Sequence, residues 1–444
     1  MQDFQLTALA LVAALLFGVA ILLLTGCDLP LVRPTVVPSA TSLVPDQTPG
    51  PQPTPLPVEA TPQGPATITL TIWTTEAFSP TQVITSGQIL AQQTAAFEAA
   101  HSDVRIQFIL KKPYGKGGIL DFLLTTGAVV PDLLPDLVVI DVEELEVIVQ
   151  ADLVQPLDDL LPPDVMADLY PFAREACTFD GQLYGLQFQA DLDHLVYNTG
   201  KITIPPRSWP GVLSNPGPYI FAAGGKAGLV NDAFLIQYLA VRAQPTDGGP
   251  EGSFLEADSL AAVLQFYLDG VSRGIFPANV LDYHTTDDCW RDYLAEQAAL
   301  TQVSAHRYLA DRGRLQSSAV APIPAINGPG TAISQGWMLA LTTPDPIRQS
   351  AAVAFMVQLM APETNAAWNL ASGYLPTRQT AVALWDEADS YTGFIQQQLQ
   401  TARPRPRLSN YTEVAAALQE AIEDVLTGDV TPEEAAAQAI EHTQ

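Results

Sequence analysis

An α/β protein of two lobes, with a ligand-sized cleft between them, is what the sequence predicts. Three observations carry this. Residues 66–141 alternate strand-like and helix-like runs, the pattern of a sheet built through right-handed crossovers. The stretch Phe179–Asn198 has two β-rich runs, Gln182–Phe188 and Leu192–Tyr197, around a polar interruption at Gln189-Ala190-Asp191. Such a pattern suits a strand that buries its two ends in different globular units and leaves its middle in the cleft, although an ordinary β-hairpin reads the same way. Finally, 444 residues with 48% apolar and 15% charged side chains suffice for two cores.

Taken in order, the chain begins with an almost unbroken apolar run, Leu6 to Leu24, long enough to span a bilayer as a helix. It ends in Leu24-Thr25-Gly26-Cys27, which resembles the lipobox of bacterial lipoproteins and implies a signal peptide over residues 1–27 that ends at the lipidated Cys27, the new N-terminus after the cut. The preceding Met1–Gln5 carries Asp3 and no Lys or Arg, so a retained anchor is the alternative. Both readings put the remainder outside the cytoplasm. Residues 28–66 contain 11 prolines among Thr, Ser, Gln and Val. Such a run builds no core and reads as a disordered, semi-extended spacer, reaching about 100 Å at most.

The globular part opens with a strand at Ala66–Thr74, a helix at Gln88–Ala100 and a strand at Val104–Leu110. A helix over Ile119–Thr126 and a short strand, Pro135–Asp141, follow. In open α/β sheets ligands sit beyond the carboxyl ends of strands, which places Trp73, Glu76 and Asp141 at one rim. Asp141 is equally suited to cap a helix over Glu143–Gln150. Beyond Asn198, Ile204-Pro-Pro-Arg-Ser-Trp-Pro-Gly211 excludes a long helix. Pro218–Gly225 reads as a strand entering a Gly-rich loop, and Phe234–Arg242 and Ser259–Arg273 as amphipathic helices. Val320–Ala325 and Ile333–Ala340 read as a second crossing and a returning strand, and Gln349–Met360, Glu413–Gly428 and Pro432–His442 as helices.

Several of these segments together resemble the extracellular solute-binding proteins of ABC importers, in their sugar- and oligosaccharide-binding branch. They are ITLTIWT, AAFEAAHSDVRIQFIL, PDLVVID, LVQPLDDLL, the D-G-x-x-Y-G…Y-N crossing at 180–198, YLAEQAALTQVSAHRYL at 293–309, and Gly373-Tyr-Leu-Pro-Thr-Arg378. The resemblance runs from Cys27 to the C-terminus, with one departure: the helix usual after Asn198 is missing. It implies a periplasmic-binding-protein-like fold, each lobe a mixed sheet flanked by helices. Residues 67–190 with about 322–375 would form one lobe, and 191–321 with about 376–444 the other. It also implies a carboxylate at the crossing that bonds sugar hydroxyls, the position of Asp191. Trp209 and Trp337 are the aromatic candidates for stacking on sugar C–H faces, with a core role as the alternative for Trp337. The expected ligand contacts are therefore Trp73, Glu76, Asp141, Asp191, Trp209 and Trp337. His306 stands at the cleft end of its strand as either a ligand contact or a capping residue.

The net charge of −28 excludes nucleic acid as a partner and disfavours strongly anionic ligands. Three cysteines without a C-x-x-C pair exclude a thiolate zinc site, and Cys177 and Cys289 read as separate buried thiols or as one disulfide. Asp191-Leu-Asp193-His194 does not converge on a metal, since on a strand the two aspartates share one face and the histidine points away. Neither a G-x-S-x-G nor an H-E-x-x-H nor a phosphate loop is present, so no enzyme, cofactor or metal is expected. The expectation is a monomeric, lipid-anchored binding protein on the extracytoplasmic face of a bacterial membrane, passing a sugar to separate permease subunits. An exported carbohydrate hydrolase and a tethered sensor uncoupled from transport are the alternatives. Polyamines fit the negative charge as well as sugars do.

Overall fold

The computed structural model describes residues 67–215, 217–242 and 254–443. The apolar run, the lipobox with Cys27, and the Pro-rich spacer lie outside the described residues. Among the described residues no helix is long and apolar enough to cross a membrane.

Among the described residues, eleven strands and their helices build an α/β fold of two lobes. The first lobe starts with β1 (Ile68–Thr74), α1 (Thr85–Ala100) and β2 (Val104–Leu110). The next elements are α2 (Ile119–Val129) and β3 (Leu137–Asp141). All three strands are parallel, with Ile72 opposite both Phe108 and Leu137, as strand–helix–strand alternation requires. A small hairpin, β4 (Thr178–Phe179) and β5 (Gln182–Leu183), turns at Asp180-Gly181, both at positive φ. It leads into β6 (Gly185–Asn198).

The second lobe contributes β7 (Tyr219–Ile220), α3 (Asp232–Val241), α4 (Ala257–Ser272) and α5 (Thr286–Leu294). Then come β8 (Leu300–Ser304), α6 (Ala305–Asp311) and β9 (Ser318–Ala321). The chain returns through β10 (Ile333–Leu341), α7 (Pro346–Met360), α8 (Pro362–Ser372) and α9 (Ser390–Thr401). It ends with β11 (Arg403–Pro404), α10 (Tyr411–Thr427) and α11 (Pro432–His442).

The sheet runs β2-β1-β3-β10-β6-β8-β7, with β11 on β10 and β9 on β6. β6 links the lobes. Its first half, Gly185 to Leu192, pairs antiparallel with β10, and its second half, Asp193 to Asn198, with β8 and β9. The polar interruption expected at Gln189–Asp191 is therefore no gap. Gln189 stays opposite Trp337 and Ala190 opposite Gly336, and both are buried. Of the three only Asp191, paired with Gln335, keeps partial exposure; it shares a strand face with Asp193, and both line the cavity described below. β10 reaches β6 closely at Gly336, where a Cβ would stand 2.2 Å from the Gln189 carbonyl oxygen. The strand expected at Pro218–Gly225 is reduced to two paired residues, since at Phe221 the chain folds back and Ala223 N donates to the Phe221 carbonyl. Between Ile204 and Gly211 the prolines permit one turn of helix, Trp209–Leu213.

One hydrophobic core draws on residues 70–188 and 338–368, and a second on 195–300, 321–333 and 414–439. A third, around Trp290, Tyr308, Trp385 and Tyr391, packs α5, α6 and α9 against the middle of β6. Cys177 and Cys289 are free and buried in different cores, so the disulfide reading falls.

Candidate functional site: a carboxylate-rich cleft at the crossing strands

A cavity of about 470 Å³ opens where β6 passes from one lobe to the other. Tyr114, Asp141 and Glu143 line it from the β2–β3 side, Asp191 and Gln335 from the crossing strands, and Asp193, Asp232 and Ser304 from the far side.

Asp141 ends β3. Its carboxylate accepts from Glu143 N at 3.0 Å, capping the following turn, and from the Tyr114 hydroxyl at 2.6 Å. Tyr114 comes from the Gly-rich loop after β2. The register sets Trp337 directly opposite Asp141, and the Tyr114 and Trp337 rings lie 5.7 Å apart at 50°. One carboxylate and two aromatic faces thus meet at the carboxyl end of a parallel strand.

Asp191 accepts from its own neighbour Leu192 N at 2.9 Å and from His306 N at 3.0 Å, at the start of α6. His306 in turn stacks on Tyr374 at 4.2 Å. Its ring nitrogen Nδ1 lies 3.3 Å from the Gly373 carbonyl, a packed rather than a free imidazole. Asp193, two residues on, lines the same cavity. Asp232 opens α3 and is buried; Gln335 Nε2 donates to it at 2.5 Å. Arg405, just past β11, donates to Asp232 at 2.8 and 3.0 Å and to Glu143 at 2.7 Å. Its guanidinium therefore ties β3's end to α3 across the cleft, with two nitrogens on Asp232 Oδ1 and the third on Glu143, a spread of donors that lysine's single nitrogen cannot supply.

Enclosure governs the electrostatics. Burial raises Asp141 and Asp191 above the usual carboxylate range, partly offset by the hydrogen bonds they accept. Burial also lifts Glu143 to about 7, against the pull of Arg405. Burial, with the charges of Asp232 and Asp191, carries Asp193 to about 8. Such perturbed groups gathered in a cleft are a mark of a binding site. Among the described residues no group of His, Cys, Asp and Glu is placed to hold a metal ion.

Of the residues singled out from sequence, the cavity gathers Asp141 and Asp191, with Trp337 beside them through Tyr114. Three others stand elsewhere. Trp209 is in the second core, stacked on Phe266 at 4.5 Å, with Nε1 donating to Gln237 at 2.7 Å. Trp73 is buried in the first core, where Lys111 Nζ lies 4.3 Å from its ring and Phe122 stands edge-on. Glu76 is exposed and accepts from Gln82 Nε2 at 2.8 Å. Sequence reasoning passed over Tyr114, Glu143, Asp232, Gln335 and Arg405. Tyr114 had a signal, a glycine-flanked aromatic after a parallel strand; Arg405 had only its place in a Pro/Arg run.

Residues 92–394 match the family model of the bacterial extracellular solute-binding proteins. The maltotriose-binding protein of Pyrococcus abyssi is 32% identical over 60 residues, a stretch covering 14% of this chain and 13% of that protein. Solved structures resemble the fold over most of its length. The cyclic alpha-maltosyl-1,6-maltose binding protein of Arthrobacter globiformis has a TM-score of 0.68 at 19% identity, covering 85% of this chain and 98% of its own. The Thermus thermophilus maltotriose binding protein, solved with maltotriose, has a TM-score of 0.60 at 19% identity, covering 84% and 98%.

Proposed function

The chain belongs to the bacterial extracellular solute-binding proteins, and from that membership we propose that it captures a carbohydrate in the cleft at the β6 crossing. The observation that carries this reading is the meeting of Asp141 and Tyr114 with Asp191 around one cavity, with Trp337 packed behind Tyr114. Carboxylates bond sugar hydroxyls, and aromatic rings pack on sugar C–H faces. Similar proteins solved with maltotriose, and the matched maltotriose-binding protein, favour an oligosaccharide. The family is one of binding proteins, which leaves the hydrolase alternative without support.

Capture works by differential affinity. A solute that touches β3's end and α3 together binds the closed arrangement better and shifts the lobes toward it by that difference. We take 67–190 with 322–375 as the first lobe and 191–321 with 376–444 as the second, in keeping with the first core's make-up. Attachment through a lipid on Cys27, the spacer at 28–66, and delivery to a separate ABC permease complete the reading. They rest on the lipobox and on the family.

A thermal-shift and calorimetry screen of maltotriose, other oligosaccharides and monosaccharides tests it. Ligand at 100 times its Kd adds about 2.7 kcal/mol of stability, a readable shift in Tm. No shift with any saccharide, or turnover of the saccharide, refutes the proposal. Membrane recovery of the parent chain and release of Cys27→Ser into the soluble fraction tests the anchor.

A further inference from the structure

The hydrogen bonds around the cavity are unevenly spent. Its donors are largely committed within the protein. Arg405 is taken by Asp232 and Glu143, and Gln335 Nε2 by Asp232. Asn231 Nδ2 is taken by the Ala222 and His284 carbonyls, and the Thr285 hydroxyl by Asp288. The acceptors are not. Asp141 is bonded only by a hydroxyl and a backbone N–H, and Asp191 has two backbone N–H donors and support from the Ser304 hydroxyl; Arg405 and His306 act on them only at a distance, and neither forms an ion pair with a described residue. Asp193, whose backbone pairs with β8, has a carboxylate with no hydrogen bond to and no ion pair with any described residue. Five carboxylates, Asp141, Glu143, Asp191, Asp193 and Asp232, thus face one committed guanidinium and the exposed Lys226.

A neutral hydroxyl gives a carboxylate one donor but no countercharge, and it brings two acceptor lone pairs of its own. An ammonium brings donors only, and it brings charge. We propose that the solute of this cleft is an aminated saccharide whose ammonium group sits against Asp193 and Asp191. The inference rests on the carbohydrate reading above and narrows its chemistry. Tyr114, on the opposite wall and backed by Trp337, supplies the surface for a sugar ring, which a linear polyamine does not use. The raised Asp193 pKa accords with this: an empty cleft holds a proton where the bound one holds an amine.

The test is isothermal titration of the full chain with kanamycin as an aminated trisaccharide, maltotriose as a neutral saccharide of similar size, and spermidine as an amine without a ring. The expected result is kanamycin binding at least about tenfold tighter than either. That advantage should shrink on raising salt from about 20 mM to about 0.3 M, and fall about tenfold in Asp193→Asn. Asp193→Asn is close in shape to the parent, and its circular dichroism and Tm report whether it folds. Maltotriose binding as tightly as kanamycin, unchanged in Asp193→Asn, overturns the inference and leaves the carbohydrate reading standing. Spermidine binding with neither saccharide bound overturns both, as does the absence of any binding.

Discussion

Arg405 lies 2.8 Å from the carboxylate of Asp232, 173 residues away in the chain, and donates to it through two nitrogens. The Asp232 side chain is only 5% exposed, so it depends on this partner. Arg405→Met should leave a buried carboxylate unpaired and cost about 3 kcal/mol, read by urea denaturation at neutral pH. Arg405→Met combined with Asp232→Asn should recover much of the loss. Because Arg405 also holds Glu143, the single variant should show a larger radius of gyration in solution scattering. An unchanged radius would mean the guanidinium does not hold the lobes.

Trp209 and Trp337 should fail in opposite ways. Trp209 is 8% exposed and stacked on Phe266 at 5° between planes, so Trp209→Ala should cost about 3–5 kcal/mol and leave the saccharide affinity of the folded fraction unchanged. Trp337→Ala should lower saccharide affinity about tenfold for a smaller loss of stability. Calorimetry and thermal melts on both variants check the pair, and equal losses of stability with no loss of affinity would remove Trp337 from the site.

Asp193 titrates at about 8 in the folded chain, against about 4 for a free carboxylate. Between those values the folded form keeps a proton that the unfolded form has released, so this residue's contribution to stability falls as pH rises from about 4 to about 8. Asp193→Asn abolishes the penalty. Its stability advantage over the parent should grow across that window to about 1–3 kcal/mol. His194, buried and pushed down to about 4, acts the other way: its contribution is lost as pH falls from about 6.5 to 4. It is present in both proteins and cancels in the difference. A difference that stays flat from pH 4 to 8 contradicts the assignment.

Gly336 has a φ of 156°, and a Cβ there would stand 2.2 Å from a backbone oxygen of β6. Gly336→Ala should therefore cost about 2–3 kcal/mol, as the strands must part at the crossing. A Tm within about 1 °C of the parent would show that β10 can move away freely.

Local pattern made much of the fold legible. β2 occupies Val104–Leu110 as the alternation VRIQFIL indicates, and the crossing at 185–198 follows from its hydrophobic flanks. Alternation also sufficed to put Asp191 and Asp193 on one face. What could not be read was which side of an element a tryptophan takes. The chemistry of Trp73, Trp209 and Trp337 is the same, and only packing partners far along the chain separate them. Arg405 was hidden for the same reason: Glu143, which it holds, lies 262 residues upstream. Contacts of that separation leave no local periodicity to detect.

β10 lies between β3 and β6 in the sheet, yet it is made after both, at residues 333–341. As the polypeptide leaves the ribosome, more than half of it is out before the strand that closes the first lobe exists. Until then the edges of β3 and β6 are open, with Val138, Val139, Ile140 and Leu186 uncovered. The nascent protein is thus a ready client for holding factors during synthesis, and any truncation upstream of Ile333 yields an adhesive fragment rather than half a receptor.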